Sequence, residues 1–243
     1  MILTVDIGNA SITLGLFDNE AVIEDFRLAS DKDLSLEEYE VLLKSLFKNY
    51  DIKGGIISSV VEELNEKFTS AVYNVFKIKP LMLSAKVNTG IKINMPNLDE
   101  VGADRIANAA GAYVLYNHPV IVIDFGTATT FYIVNKEGEF VGGVIAPGIN
   151  LQLKTLNAFT SKLPRIEVAE SRTAIGNNTV DAILSGVIRG CACMIDGLIE
   201  QCEKELGTKA VIVATGGYAS FVAPYLKRNF DFINPTLTLE GLR

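Results

Sequence analysis

Val120-Ile121-Val122-Ile123-Asp124-Phe125-Gly126-Thr127-Ala128-Thr129-Thr130 is the stretch whose reading decides the fold. Four β-branched residues with no polar face predict a buried strand, and the run ends on an acid. Small residues then make a turn whose backbone N–H groups can point at an anion. A second β-rich run, Phe131 to Val134, follows. The N-terminus carries the same pattern: Ile2 to Val5, then Asp6-Ile7-Gly8-Asn9-Ala10, then Ile12 to Phe17. At one constant offset Asp6 matches Asp124, Gly8 matches Gly126 and Ala10 matches Ala128. Each copy continues through an acidic or Gly turn into a third strand. This is an internal duplication, and it sets the architecture. Two such hairpins facing each other would form a cleft with a phosphate cradle on each wall.

The 243 residues leave room for one large domain or two of about 120. The reading places the boundary at Asn117-His118-Pro119, giving residues 1–117 and 118–243. With 49% hydrophobic and 21% charged residues the chain is of ordinary globular composition. A net charge of −7 argues against a nucleic-acid surface. No uninterrupted apolar span and no leader peptide is expected, so the predicted location is cytoplasmic, without a membrane partner. Cys191, Cys193 and Cys202 fall on one predicted helix and read as small apolar residues in a reducing compartment. The single histidine, His118, rules out a His-based triad or a His-rich metal centre.

Helical spacing predicts helices over 33–50, 62–76, 104–116, from about 149, 179–206 and 218–227, with strands at 54–60, 80–84 and 209–214. The alternation gives an α/β class. The irregular 85–101 segment is the natural substrate loop. Gly186, Gly190 and Gly197 weaken the longest helix by about 1 kcal/mol each relative to Ala. They point to close packing against another helix, including one from a second subunit.

Asp6, Gly8 and Asn9 sit where a strand gives way to a tight turn. A carboxylate there suits a magnesium–phosphate complex, because magnesium keeps several waters and needs only one or two acids. Asp104-Arg105 at a helix start offers a base and an anion clamp, although in isolation it also reads as a helix cap with a salt bridge. In isolation Thr179 reads as an ordinary helix N-terminal residue. A third turn, Thr215-Gly216-Gly217, strengthens the nucleotide reading. There is no Walker pattern and no dinucleotide-type glycine spacing.

The duplicated hairpins and the late Thr-Gly-Gly turn resemble the superfamily of acetate and sugar kinases, heat-shock chaperones and actin. Within it, Asp6-Ile7-Gly8-Asn9, Gly102-Ala103-Asp104-Arg105, Asp124 to Thr130, Gly143 to Gly148 and Gly176-Asn177-Asn178-Thr179 are similar, in order and spacing, to type III pantothenate kinase. The resemblance implies duplicated ribonuclease-H-like, actin-like ATPase domains and ATP-dependent phosphorylation of pantothenate on the way to coenzyme A. It implies that Asp6, Ile7, Gly8, Asn9, Ala10, Ser11, Ile12 and Thr13 hold the ATP phosphates, with Asp6 near Mg²⁺. It further implies that Met95, Gly102, Ala103, Asp104, Arg105 and Thr179 contact pantothenate, with Asp104 as general base. Thr127 would touch ATP, and Asp124 would bind a monovalent cation, K⁺ or ammonium. The family is homodimeric and cytoplasmic. Ala10 stands where the family usually has Thr, and Met95 where it usually has Tyr. Two other readings stay open: a non-catalytic ATP-sensing protein, and a kinase for a different small hydroxy-acid.

Overall fold

The computed structural model describes residues 1–243. The chain divides into two compact units, Met1–Val114 with Thr236–Arg243, and Leu115–Pro235. The sequence ran the second half to the terminus. The last eight residues pack instead with the first unit.

Unit 1 contains β1 (Ile2–Ile7), β2 (Ser11–Asp18), β3 (Ala21–Ala29), α1 (Leu36–Phe47), β4 (Gly54–Ser59), α2 (Glu62–Phe76), β5 (Leu81–Met82), β6 (Lys92–Ile93) and α3 (Ala103–Leu115). Its sheet runs β3-β2-β1-β4-β5, with β1 antiparallel to β2 and parallel to β4. Strand alternation sorts the side chains. Leu3, Val5 and Ile7 with their register partners Leu16, Leu14 and Ile12 face a core built with Tyr39, Leu43 and Phe47 of α1 and Leu64 and Phe68 of α2. Thr4 and Asp6 therefore share the opposite face. The first helix starts on a capping box: Ser35 Oγ accepts from Glu38 N (3.2 Å) and the Glu38 carboxylate accepts from Ser35 N (2.7 Å).

Unit 2 contains β7 (Val120–Phe125), β8 (Ala128–Val134), β9 (Glu139–Pro147), α4 (Ile149–Ala158), α5 (Thr179–Leu184), α6 (Gly190–Leu206), β10 (Val211–Gly216), α7 (Ala219–Val222) and β11 (Phe232–Ile233). Its strands run in the order β11-β10-β7-β8-β9, with β7 antiparallel to β8 and parallel to β10. Ile121, Ile123 and Phe125 face a core shared with Leu153, Ile188, Cys191 and Ile195, so Val122 and Asp124 lie on the other face.

Two expected helices differ from their sequence reading. The longest is divided by a π-helical turn over Ser185–Arg189. Arg189, a charge within this otherwise apolar stretch, donates from Nε to Ser171 Oγ (3.0 Å) and from Nη2 to Ser171 O (2.9 Å). It thereby fastens the irregular 160–178 segment to the helix. By length and composition the 28-residue stretch Thr179–Leu206 could cross a membrane, since its most apolar 18-residue window has mean hydropathy 1.7. Its apolar stripe, Val187 to Ile199, is however used in the core of unit 2. The helix expected to reach Lys227 ends at Val222, because Pro224 lacks the N–H that would continue it. Cys191 is buried, Cys193 is exposed and Cys202 is partly buried, and all three are free thiols. Burial pushes the Cys191 thiol up to about 11, so it stays protonated.

The C-terminal helix α8 (Leu237–Leu242) was not read from the sequence. A methyl group on Gly111 of α3 would lie 3.1 Å from Gly241 Cα, and one on Gly241 would run into the Ala107 carbonyl. Thr238 Oγ1 also donates to the buried Asn108 Oδ1 at 2.9 Å. This close helix crossing holds α3 in place, and with it the Asp104-Arg105 pair at its start.

Candidate active site

In unit 1 the register places Asp6 opposite Thr13 on β2 and beside Ser58 on β4. Ser58 Oγ donates to Asp6 Oδ1 at 2.8 Å. The carboxylate thus sits in a row of hydroxyls on one sheet face. Gly8 N donates to Ser11 O at 3.0 Å and closes the turn, leaving Asn9 and Ala10 exposed at its tip. Ile7 and Ile12 are fully buried in the core, so they can offer a ligand only their backbone. Val60 N donates to Ile7 O at 3.0 Å. A methyl group on Gly102 would lie 3.7 Å from Val60 Cγ1, so the start of α3 lies beside the end of β4.

Asp104 occupies that helix start. Its Oδ1 accepts from Arg105 N at 2.8 Å. Gly102 leaves room for it, since a methyl there would come within 2.6 Å of the same oxygen. Burial raises the Asp104 carboxyl above its ordinary value, outweighing the amide and the charge of Arg105. An acid moved in that direction is better suited to take a proton near neutral pH. Met95 is partly buried in the irregular segment between β6 and α3.

In unit 2 the pattern recurs. Asp124 pairs with Thr130 on β8 and with Thr215 on β10, again between two hydroxyls. Tyr132 donates to Asp124 Oδ2 at 3.4 Å. Gly126 N donates to Ala128 O at 3.0 Å, and Gly148 N donates to Thr127 O at 3.1 Å. The exposed Thr127 is thus fixed in a clamped turn. The constant offset between the copies breaks inside the turn. Ile7 pairs with Ile12, whereas Phe125 pairs with Thr129, so the first hairpin carries one more residue and Ala10 has no register counterpart in Ala128. Thr179 is the first residue of α5, after the Asn178 cap whose side chain accepts from Asp181 N at 3.0 Å. Beside the third glycine turn lies a cavity of about 770 Å³. Its walls are apolar at Leu153 and Phe221, polar at Asn150 and Tyr218, and charged at Lys154, Arg165 and Glu167.

Hydroxyl oxygens of Ser58 and Tyr132 reach the two acids, with Thr13, Thr130 and Thr215 at neighbouring register positions. That donor set fits hard cations. No group of three or more His, Cys, Asp or Glu residues gathers as a cage for a metal. A divalent ion would therefore rest on one carboxylate and on the phosphates of its ligand.

A family model described as type III pantothenate kinase matches residues 2–201. The chain belongs to that family. A type III pantothenate kinase from Dehalococcoides mccartyi is 44% identical, over the whole of this chain and 94% of the relative. One from Moorella thermoacetica is 40% identical over the whole chain and 97% of its own length. Among solved structures, a ROK family glucokinase from Streptomyces griseus superposes with a TM-score of 0.53 at 15% identity, covering 99% of this chain and 97% of that one. The likeness confirms the duplicated ribonuclease-H-like, actin-like α/β fold. The motifs Asp6 to Asn9, Gly102 to Arg105 and Asp124 to Thr130 lie inside the matched residues. Ser58, Thr215 and Tyr132, the neighbours of the two acids, were not assigned as site residues from sequence. Ser58 and Thr215 could be seen only as hydroxyls at strand ends, and only the register shows which acid each one meets.

Proposed function

We propose that this chain transfers the terminal phosphoryl group of ATP to the 4′-hydroxyl of pantothenate, giving 4′-phosphopantothenate, the first step towards coenzyme A. The observation that carries the reading is the desolvated Asp104 at the head of α3, within an intact Gly-Ala-Asp-Arg motif of the matched family. Phosphoryl transfer is mostly positioning and charge stabilisation, with one acid orienting the attacking hydroxyl. Asp104 is that acid: it accepts the hydroxyl proton, and Arg105 next to it holds the pantothenate carboxylate. The amides of the Gly8–Ser11 turn cradle the phosphates. Ala10 contributes only its backbone there, where a Thr would add a hydroxyl.

Magnesium, when bound, neutralises the phosphate charge, and Asp6 would hold it. Asp124, among its hydroxyls, would hold K⁺ or ammonium. Thr127 would meet ATP, and Met95 and Thr179 would line the pantothenate side. Gly186, Gly190 and Gly197 have no atom within 4 Å of where a side chain would begin. The helix therefore keeps a flat face that its own chain leaves unfilled, and this supports a homodimer, measurable by light scattering at micromolar concentration. The location inferred is the cytoplasm.

The decisive experiment incubates the protein with ATP and pantothenate in sodium, potassium or ammonium buffer and follows the product by mass spectrometry. A singly phosphorylated pantothenate is expected, at a rate that rises with potassium or ammonium. ATP binding without product would favour the sensor reading. Turnover of another hydroxy-acid alone would change the substrate. Equal rates in all three salts would remove the cation from Asp124.

A further inference from the structure

Tyr132 has no part in the chemistry above. Its side chain is 1% exposed on β8, yet its hydroxyl closes a polar chain. Thr130 Oγ1 donates to Tyr132 Oη at 2.7 Å, and Tyr132 Oη donates to Asp124 Oδ2 at 3.4 Å. The register explains the meeting. Asp124 lies opposite Thr130, and Val122 opposite Tyr132, so the three polar side chains project from one face of the β7–β8 pair. The other carboxylate oxygen looks elsewhere. A methyl on Gly216 would stand 2.6 Å from Asp124 Oδ1, and one on Gly126 3.8 Å from it. One oxygen is thus tied to the sheet face and the other is turned to the glycine turns where an ion or phosphate would sit.

We propose that Tyr132 is a positioning residue for the phosphoryl transfer, holding Asp124 by Oδ2 so that Oδ1 is presented to the Gly126 and Gly216 turns. The contact restricts the carboxylate's last torsion, which is intrinsically broad and two-fold. A buried phenol loses free energy if it has no partner, so the pairing also keeps the tyrosine in place. Thr130 orients the phenol in turn and belongs to the same device. The inference rests on the reading that Asp124 serves the reaction.

The test is a double-mutant cycle of Tyr132→Phe and Asp124→Asn, read by calorimetric ATP affinity in potassium buffer and by the rise in thermal midpoint that KCl gives over NaCl at equal ionic strength. Tyr132→Phe keeps the ring and removes only the O–H. A hydrogen bond to a charged group is worth more than a neutral one, but 3.4 Å is long for an O–H donor. The expected loss is therefore about 3–10-fold in ATP affinity, and a similar rise in the KCl needed for half the thermal shift. In the Asp124→Asn background Tyr132→Phe should add nothing further. Thr130→Val should move both readouts in the same direction by a smaller factor. A purely structural role would give the same loss in both backgrounds, and that result overturns the proposal. If Asp124→Asn alone leaves both readouts unchanged, Asp124 itself has no part in binding, and the proposal falls with that reading rather than by its own failure.

Discussion

Replacing Gly216 by alanine tests the packing around Asp124 against an internal control. Gly216 ends β10 with φ +84. A side chain in that left-handed region costs about 1–2 kcal/mol. The new methyl would also lie 2.6 Å from Asp124 Oδ1 and 2.6 Å from Phe125 N, well inside contact distance. Forcing atoms into a filled site costs about 1–3 kcal/mol. The expected total is about 2–5 kcal/mol. Gly207, at the end of α6, has φ +70, and nothing stands within 4 Å of a methyl there. Gly207→Ala should therefore cost only the backbone term, about 1–2 kcal/mol. For a chain of this size each kcal/mol moves the melting midpoint by about 2–4 °C. Calorimetry should place Gly207→Ala about 2–8 °C and Gly216→Ala about 4–20 °C below the parent. The functional difference is sharper. The group that Gly216→Ala displaces is a carboxylate of the candidate site, so below its melting range it should need more ATP and more potassium. Gly207→Ala should match the parent in both. Equal midpoints for the two variants, or a destabilised Gly216→Ala with unchanged ATP and potassium dependence, would refute the reasoning.

Asp104→Asn keeps the shape of the side chain but cannot take a proton, so turnover should fall by about 10²–10⁴-fold while calorimetric ATP binding survives. Because burial raises the folded pKa of Asp104, its contribution to stability is full below the unfolded value of about 3.9 and is lost as pH rises through the folded value. The asparagine variant should accordingly melt no lower than the parent at neutral pH; a clearly lower midpoint there counts against a desolvated acid. Glu203, its side chain 5% exposed, accepts from Lys209 Nζ (2.7 Å), Arg228 Nη1 (2.6 Å) and Ala210 N (3.0 Å). Burial pushes its carboxyl up, but the bonds from Lys209, Ala210 and Arg228 pull it down further, so the net shift is downward. Its stabilisation is present above the unfolded value of about 4.3 and is lost as pH falls through the folded value. Glu203→Ala should cost about 2–4 kcal/mol in urea unfolding at neutral pH, below the usual cost of breaking a buried pair because Arg228 keeps Ala210 O and Asp231. The gap should shrink in strong acid, and a gap that is constant with pH would show that the pairing does not carry it.

What the sequence makes legible here is what depends on short range. The β-branched run of β7 and the break at His118-Pro119 each act within a few residues, so their elements emerge close to their expected bounds. Features that depend on pairing across the chain do not emerge. Nothing local says that Asp6 will meet Ser58, or that Asp124 will stand between Thr130 and Thr215, because register is set by the whole sheet. The one-residue difference between the two turns is hidden for the same reason, since an alignment by motif passes over it. Nothing local says either that Arg189 will find its acceptor in Ser171, eighteen residues earlier. The C-terminal α8 is short and carries Gly241, which lowers its helical signal. That glycine is required by the approach to α3, a tertiary cause.

The duplication, once its register is known, also argues for a division of labour between its two copies. Both place an acid between hydroxyl-bearing strands, so either could hold a cation. Their turns differ. The first has four residues between Ile7 and Ile12, with Asn9 and Ala10 exposed at the tip. The second has three between Phe125 and Thr129. Its Thr127 carbonyl is held by Gly148, and Gly216 closes against its acid. A longer, open turn can wrap backbone amides around a chain of phosphates, whose oxygens are spread over several ångströms. A short, clamped turn cannot wrap, but it fixes each oxygen and so suits one ion at one point. Side-chain contacts differ as well: Asp6 accepts from Ser58 at a strand end, whereas Asp124 is reached by the buried Tyr132 and, behind it, Thr130. On this argument the nucleotide's phosphates and their magnesium would belong to the first copy and a monovalent cation to the second. Inserting one glycine between Thr127 and Ala128 should then weaken the response to potassium more than the affinity for ATP, and the opposite order, measured by titration of each, would reverse the assignment.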